Sequence, residues 1–308
     1  MKISAHTFIT NPLSTGYYVY LPAIQSFLDS ADEVVVVDGG TTDGSLERLS
    51  GLRGAEKLRI ISNEFSHWGA GDLWERPQFA VSREIGYRNC TGDWAICFES
   101  DHILPKCAKE DLRGVLEELN GSGLLYSFPL RRCRDGDLHP DLKKRKWWCL
   151  NKQLIEASDG NIVWGVHTTG GNERPVSADE SCSFADPETG VEKPYWKGGY
   201  FPQDGTLRIR LDVYDHFFFT EQQMRSKLQR FENMRARWDG RPPKILVPDQ
   251  RAYDLISPEE LLRSGEHSPV FVTHFRNYLA ETGQKHPDIF GLRRYRKKSW
   301  WHLILGWR

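Results

Sequence analysis

The sequence predicts an α/β fold: a mixed, mainly parallel sheet flanked by helices. Three observations lead to it. Val34-Val35-Val36-Val37 and Trp94-Ala95-Ile96-Cys97-Phe98 are short, continuous apolar runs bounded by polar residues, the pattern of strands buried on both faces. Residues 2–8 and 20–28, ahead of the valine run, read as strand and helix, so the chain opens β-α-β. Acidic residues gather where the apolar runs end: Asp38 closes the valines, and Glu99 and Asp101 follow Phe98.

In order, residues 2–8 alternate as a first strand, and Thr10 to Gly16 form a loop by their Pro, Gly, Asn and Ser content. Residues 20–28 place Leu21, Ile24, Phe27 and Leu28 on one helical face. After the valine strand comes Asp38-Gly39-Gly40-Thr41-Thr42-Asp43-Gly44-Ser45 and a short helical stretch. Glycines at a strand-to-helix turn let the backbone approach a ligand, and the helix start favours an anion. Asp43 fits a helix cap better than a ligand contact. Residues 58–62 read as a third strand, and 65–76 as a loop whose Trp68 and Trp74 could cover a pocket. Glu99 and Asp101, two positions apart on extended backbone, face one side and suit a divalent cation. Ligands of open α/β sheets bind at these strand ends. Residues 110–119 are helical, stopped by Asn120-Gly121; 124–130 read as a strand. So do residues 207–216, with a helix over Met224, Leu228 and Phe231; 258–263 read as a short helix.

Composition narrows the class. A chain of 308 residues with 39% hydrophobic content buries a substantial core, and its net charge of -1 gives no global pull toward a polyanion. The six cysteines form no CxxC pair, which argues against structural zinc and a disulfide scaffold and for a reducing cytoplasm. Neither a signal core nor a run near the roughly 18 apolar residues of a membrane span is present. The many tryptophans and tyrosines suit sugar, base or interface contacts.

The Asp38 to Ser45 loop, with Val37 before it, resembles the V-D-x-x-S/T-x-D-G-S/T signature of family 2 glycosyltransferases of the GT-A fold. A second match follows. The family's Ala-Arg-Asn helix, Gly-Asp-hydrophobics strand and Asp-x-Asp are resembled by Ser82-Arg83-Glu84, Gly92-Asp93-Trp94 and Glu99-Ser100-Asp101, with Glu84 in place of the asparagine. The resemblance covers about the first 105 residues. It implies a nucleotide-sugar donor, most simply UDP-linked, contacted by Thr7, Phe8, Asp38, Arg83, Glu99 and Ser100. It also implies Mn2+ or Mg2+ on Glu99 and Asp101, the block beginning at His216 resembling the one whose histidine completes the family's metal site. Residues 1–130 then form the nucleotide-sugar-binding half, 131–235 the acceptor-binding half, and 236–308 a C-terminal helical extension.

Trp164-Gly165-Val166-His167 resembles the family segment W-x-G-x-V-H-E, whose glutamate is the general base of inverting transfer, but Thr168 stands in the acid's place. Threonine accepts no proton at neutral pH, which leaves Glu173, just past Gly170-Gly171, or Glu192. The acceptor is expected to be a saccharide or lipid-linked glycan. A nucleic-acid base is a lesser alternative, from the basic residues around Trp147-Trp148, and a non-catalytic glycan- or nucleotide-binding module another, from Thr168. Residues 293–308 run from basic to aromatic and aliphatic. That order fits peripheral contact with the inner face of a membrane or a helix docked on the core.

Overall fold

A continuous β-branched run is stable where both its faces are covered, and the valines sit at such a place, each fully buried in the second strand. The computed structural model describes residues 1–15, 19–63, 78–119, 123–132, 146–157, 162–166, 173–177, 182–185, 192–195, 205–209, 211–213, 229, 232, 233, 236, 241–245, 253–255, 273, 277, 280 and 293–295. The chain runs β1 (Ile3–Ile9), α1 (Pro12–Thr15), α2 (Tyr20–Leu28), β2 (Glu33–Asp38), α3 (Ser45–Leu49), β3 (Leu58–Ser62), α4 (Gln78–Asn89), β4 (Trp94–Cys97), β5 (His102–Ile103), α5 (Lys106–Glu118), β6 (Leu125–Phe128), β7 (Leu130–Arg132), β8 (Lys146–Asn151) and α6 (Lys152–Ala157). It continues with β9 (Ile162–Val166), β10 (Glu173–Ser177), β11 (Cys182–Ala185), β12 (Glu192–Tyr195), β13 (Gly205–Thr206), β14 (Leu211–Val213), β15 (Tyr253–Leu255) and β16 (Arg293–Tyr295).

Seven strands form the main sheet in the order β13-β6-β8-β4-β1-β2-β3, and β8 alone runs against its neighbours. The predicted mixed, mainly parallel sheet is therefore present. Alternate residues of each strand divide the core. Ile3, Ala5, Ile9, Val34, Val36, Trp94, Ile96 and Phe98 pack with α2 and α5, whereas Val35, Ala95, Cys97, Leu125 and Leu150 pack with α4 and α6. Phe27 of α2 stacks on Phe98 with ring centroids 4.0 Å apart.

The helix α4 lies very close to β1. A Cβ added at Gly86 would come 2.6 Å from His6 Nδ1, so only glycine permits this approach. His6 is completely buried there. Burial above all, helped by the charges of Arg83 and Lys152, lowers its imidazole to about 3, and the ring is neutral at physiological pH.

Of the predicted strand over 207–216, the described residues form β14 (Leu211–Val213), and the short β13 (Gly205–Thr206) just before that span belongs to a different sheet. β13 pairs with β6 and β14 with β7, and between β6 and β7 stands Pro129, which has no N–H to continue a ladder. Leu207 donates to Ser127 O and Leu211 to Pro129 O, so both chains turn the corner together. β14 also joins β5, forming the three-stranded sheet β5-β14-β7.

In the C-terminal stretch, expected to be helical, the described residues 236, 273, 277 and 280 are helical, and an antiparallel pair, β15 with β16, stands among them. Tyr253 opposes Tyr295 in its register, and tyrosine favours extended pairing over helix. Among the described residues no helix is long and apolar enough to cross a membrane.

Candidate functional site

Strand order fixes where a ligand can approach. From β1 the chain moves outward through β2 to β3, then returns to lay β4 on the other side of β1. The crevice outside the carboxyl ends of β1 and β4 is thus a topological switch point. Asp38, the last residue of β2, lies on one side of the end of β1, and Glu99 and Asp101, just after β4, lie on the other.

The loops that carry these groups are tied together. Asp38 Oδ1 accepts from Thr41 N–H at 2.9 Å, which folds the loop back over the strand end, and among the described residues no donor is placed on Oδ2. Asn11 adopts a left-handed φ of 46°, and its Oδ1 accepts from Thr42 N–H at 2.7 Å, joining the loop after β1 to the loop after β2. Asp43 serves the same end and, one residue ahead of the cap position, also bonds the first N–H of α3. Gly44 occupies the cap position, while Asp43 accepts from Ser14 N–H at 2.7 Å and Ser45 N–H at 3.1 Å.

Arg83 is buried on α4, donates to Glu99 Oε1 at 3.0 Å and lies over the Phe8 ring, 5.4 Å from its centroid. A charge-assisted bond of this length holds both side chains still. Phe8 and Arg83 are therefore brought together with Glu99. Thr7 is buried and, by the alternation of β1, shares the other face with Ile3, Ala5 and Ile9. Ser100 sits within the turn between the two acids. Glu84, in the place of the family's asparagine, pairs along the helix with Arg88 at 2.9 Å.

The two acids converge by a different route from the one expected. Extended backbone ends at Cys97, and a turn closed by His102 N–H to Glu99 O at 2.9 Å brings Glu99 and Asp101 onto one side. The same turn adds His102, which sequence reasoning passed over. Its only signal was its place directly after Asp101. Oxygen and nitrogen atoms of Glu99, Asp101 and His102 all lie within 4.8 Å of one another. Two converging carboxylates fit a hard divalent cation, which prefers oxygen ligands.

Glu173 begins β10 and pairs with Val166, and Glu192 begins β12 and pairs with Ala185. Their side chains, and His216 and Thr168, lie outside the described residues. β9 lies beside α4, and β10 beside β8.

A family model, "Glycosyl transferase family 2", matches residues 21–176. The chain belongs to this family. The matched span takes in Asp38, Arg83, Glu99, Asp101 and Glu173 of the family 2 chain and ends before Glu192 and His216. No curated protein matches the sequence. Among solved structures the chain is similar to S. aureus TarS 1-349 in complex with UDP-GlcNAc, at 16% identity and a TM-score of 0.42, over 56% of this chain and 51% of that one. It is also similar to the mannosyltransferase PcManGT from Pyrobaculum calidifontis in complex with GDP-Man and Mn2+, at 14% identity and a TM-score of 0.34, over 51% and 46% of the two chains. Glucosyl-3-phosphoglycerate synthase from Mycobacterium tuberculosis, in complex with Mn2+, UDP and glucosyl-3-phosphoglycerate, aligns at 22% identity and a TM-score of 0.29, over 42% and 44%. The chain spans about half the length of these proteins or less.

Proposed function

We propose that this chain is an inverting glycosyltransferase that uses Mn2+ or Mg2+ to move a sugar, in the simplest case a hexose from a UDP-linked donor, to a saccharide or lipid-linked glycan acceptor. The observation that carries this reading is the placement of Asp38 on one side of the β1 end and of Glu99 and Asp101 on the other, in a chain of family 2. Asp38, oriented through Thr41, accepts hydrogen bonds from the nucleotide base. Asp101 and Glu99 hold the cation, with His216 completing the set. When bound, a divalent ion supplies positive charge against the diphosphate as the glycosidic bond breaks. Arg83 fixes the orientation of Glu99 and lies over Phe8, where it could reach the base or a phosphate of the donor.

Either Glu173 or Glu192 takes the proton of the acceptor hydroxyl. The β9–β10 hairpin lies against α4 and β8, and α4 carries Arg83, which supports Glu173. A lipid-linked acceptor is supported by the basic and aromatic order of residues 293–308.

The test is a thermal-shift and turnover screen of UDP- and GDP-hexoses with and without Mn2+. A UDP-hexose should raise the melting temperature only with the metal. Glu173→Gln should then lower turnover by about 10²- to 10⁴-fold with donor affinity nearly constant. Full turnover in both Glu173→Gln and Glu192→Gln would sink the inverting scheme, and no stabilisation by any donor would sink the donor assignment.

A further inference from the structure

We infer that His102 is a positioning residue that gathers the two carboxylates from behind and is not itself a ligand of the cation. The inference rests on the proposal that Glu99 and Asp101 hold that cation. The ring is fixed by the main chain. His102 opens β5, its Cα opposite that of Val213 in β14, and its side chain is 1% exposed. Its own N–H donates to Glu99 O at 2.9 Å, and Glu99 N–H in turn reaches the ring at Nδ1, 3.3 Å away.

That second contact decides the tautomer. A ring nitrogen that accepts a hydrogen bond carries the lone pair, so the ring proton sits on Nε2. Nε2 lies 3.5 Å from Asp101 Oδ1 and 3.8 Å from Glu99 Oε2. On the side of the acids the imidazole therefore carries an N–H, not a lone pair, at distances longer than a formed hydrogen bond. Two carboxylates held close repel one another, and a donor dipole facing both offsets part of that repulsion where burial weakens solvent screening. To ligate through Nε2 the ring would have to move its proton to Nδ1. There it would face the Glu99 N–H, leaving two donors opposed and a part-buried hydrogen bond lost.

Mn2+ bound to the 308-residue chain reports on this directly, since its electron spin resonance shows a nitrogen hyperfine coupling when an imidazole nitrogen is a ligand. The wild type should bind Mn2+ without such a coupling. His102→Gln, whose amide N–H can occupy the Nε2 position, should keep Mn2+ affinity within about threefold, whereas His102→Leu should weaken it by about 10- to 100-fold with its circular dichroism unchanged. A direct nitrogen coupling in the wild type overturns the inference, and so does an equal loss in the two variants or no loss in either. Should His102→Leu fail to fold, the wild-type spectrum and His102→Gln still decide. If the wild type binds no Mn2+, the metal assignment itself falls and this one with it, whereas binding with a nitrogen coupling removes this one alone.

Discussion

The two ends of the central sheet carry the same kinds of residue and use them in opposite ways. At the amino end, Glu33 accepts from Ser4 Oγ at 2.7 Å, Thr91 N–H at 2.5 Å and Thr91 Oγ1 at 2.8 Å, with Lys2 and Arg59 beyond. Beside it Asp32 accepts from Ile3 N–H and from Arg113, and Asp93 from Lys2 N–H and Gln153. These bonds tie the starts of β1, β2 and β4 to one another. At the carboxyl end, Asp38 takes one main-chain bond, Glu99 leans on Arg83, and Asp101 faces His102. The amino end spends its carboxylates on the chain itself. The carboxyl end holds its carboxylates in place but keeps them converging on a crevice, as a ligand site requires.

The largest expected effect lies at the carboxyl end. Asp101→Asn should lower metal-dependent donor turnover by about 10²- to 10³-fold while leaving the thermal midpoint nearly unchanged. A large drop in melting temperature with turnover intact would place Asp101 with the structural carboxylates and break the comparison. Glu33→Gln should do the reverse, destabilising the fold by about 2 kcal/mol through the loss of bonds to a charged group, with donor affinity unchanged, as calorimetry and donor titration would show. Wild-type stability in that variant would mean that the amino end is not what holds the strand starts together.

A smaller effect appears with pH. Burial by itself would raise the Glu33 carboxyl, but the bonds from Ser4 and Thr91 outweigh it and bring the group below its ordinary value of 4.5. Asp32 behaves alike: burial raises it, and Ile3 N–H and Arg113 carry it below 3.8. Both carboxyls bind protons more weakly folded than unfolded. Their contribution is therefore complete above about pH 4.5 and is lost as pH falls through the lowered folded values. Thermal midpoints measured from pH 6 down to pH 3 should hold steady and then fall, and Glu33→Gln should flatten the fall. A decline beginning near neutrality would point to other groups.

Much of this was legible in the residues. Helix α2 and strand β3 have the predicted bounds, 20–28 and 58–62, because the apolar spacing of the one and the turn residues around the other are local signals. Asp38, Arg83, Glu99 and Asp101 were picked out together through the resemblance to the family's motifs, and the structure joins Arg83 to Glu99 and sets Glu99 beside Asp101. The separation of β13 from β14 was not, since it follows the corner at Pro129, some 80 residues away, between their partner strands β6 and β7. His102 escaped notice for a similar reason. As one residue it is an ordinary buried histidine, and its meaning comes from the turn that folds its ring under Glu99.

By itself, then, the sequence determined the class of the sheet, the order of its strands along the chain and the acids at their ends, because burial on two faces and the chemistry of strand ends are written in nearby residues. Only the tertiary structure decided which carboxylates are consumed by the chain and which converge. That outcome depends on hydrogen bonds between residues far apart in sequence, such as Thr91 with Glu33 and Arg83 with Glu99, and these exist only once the strands have taken their places.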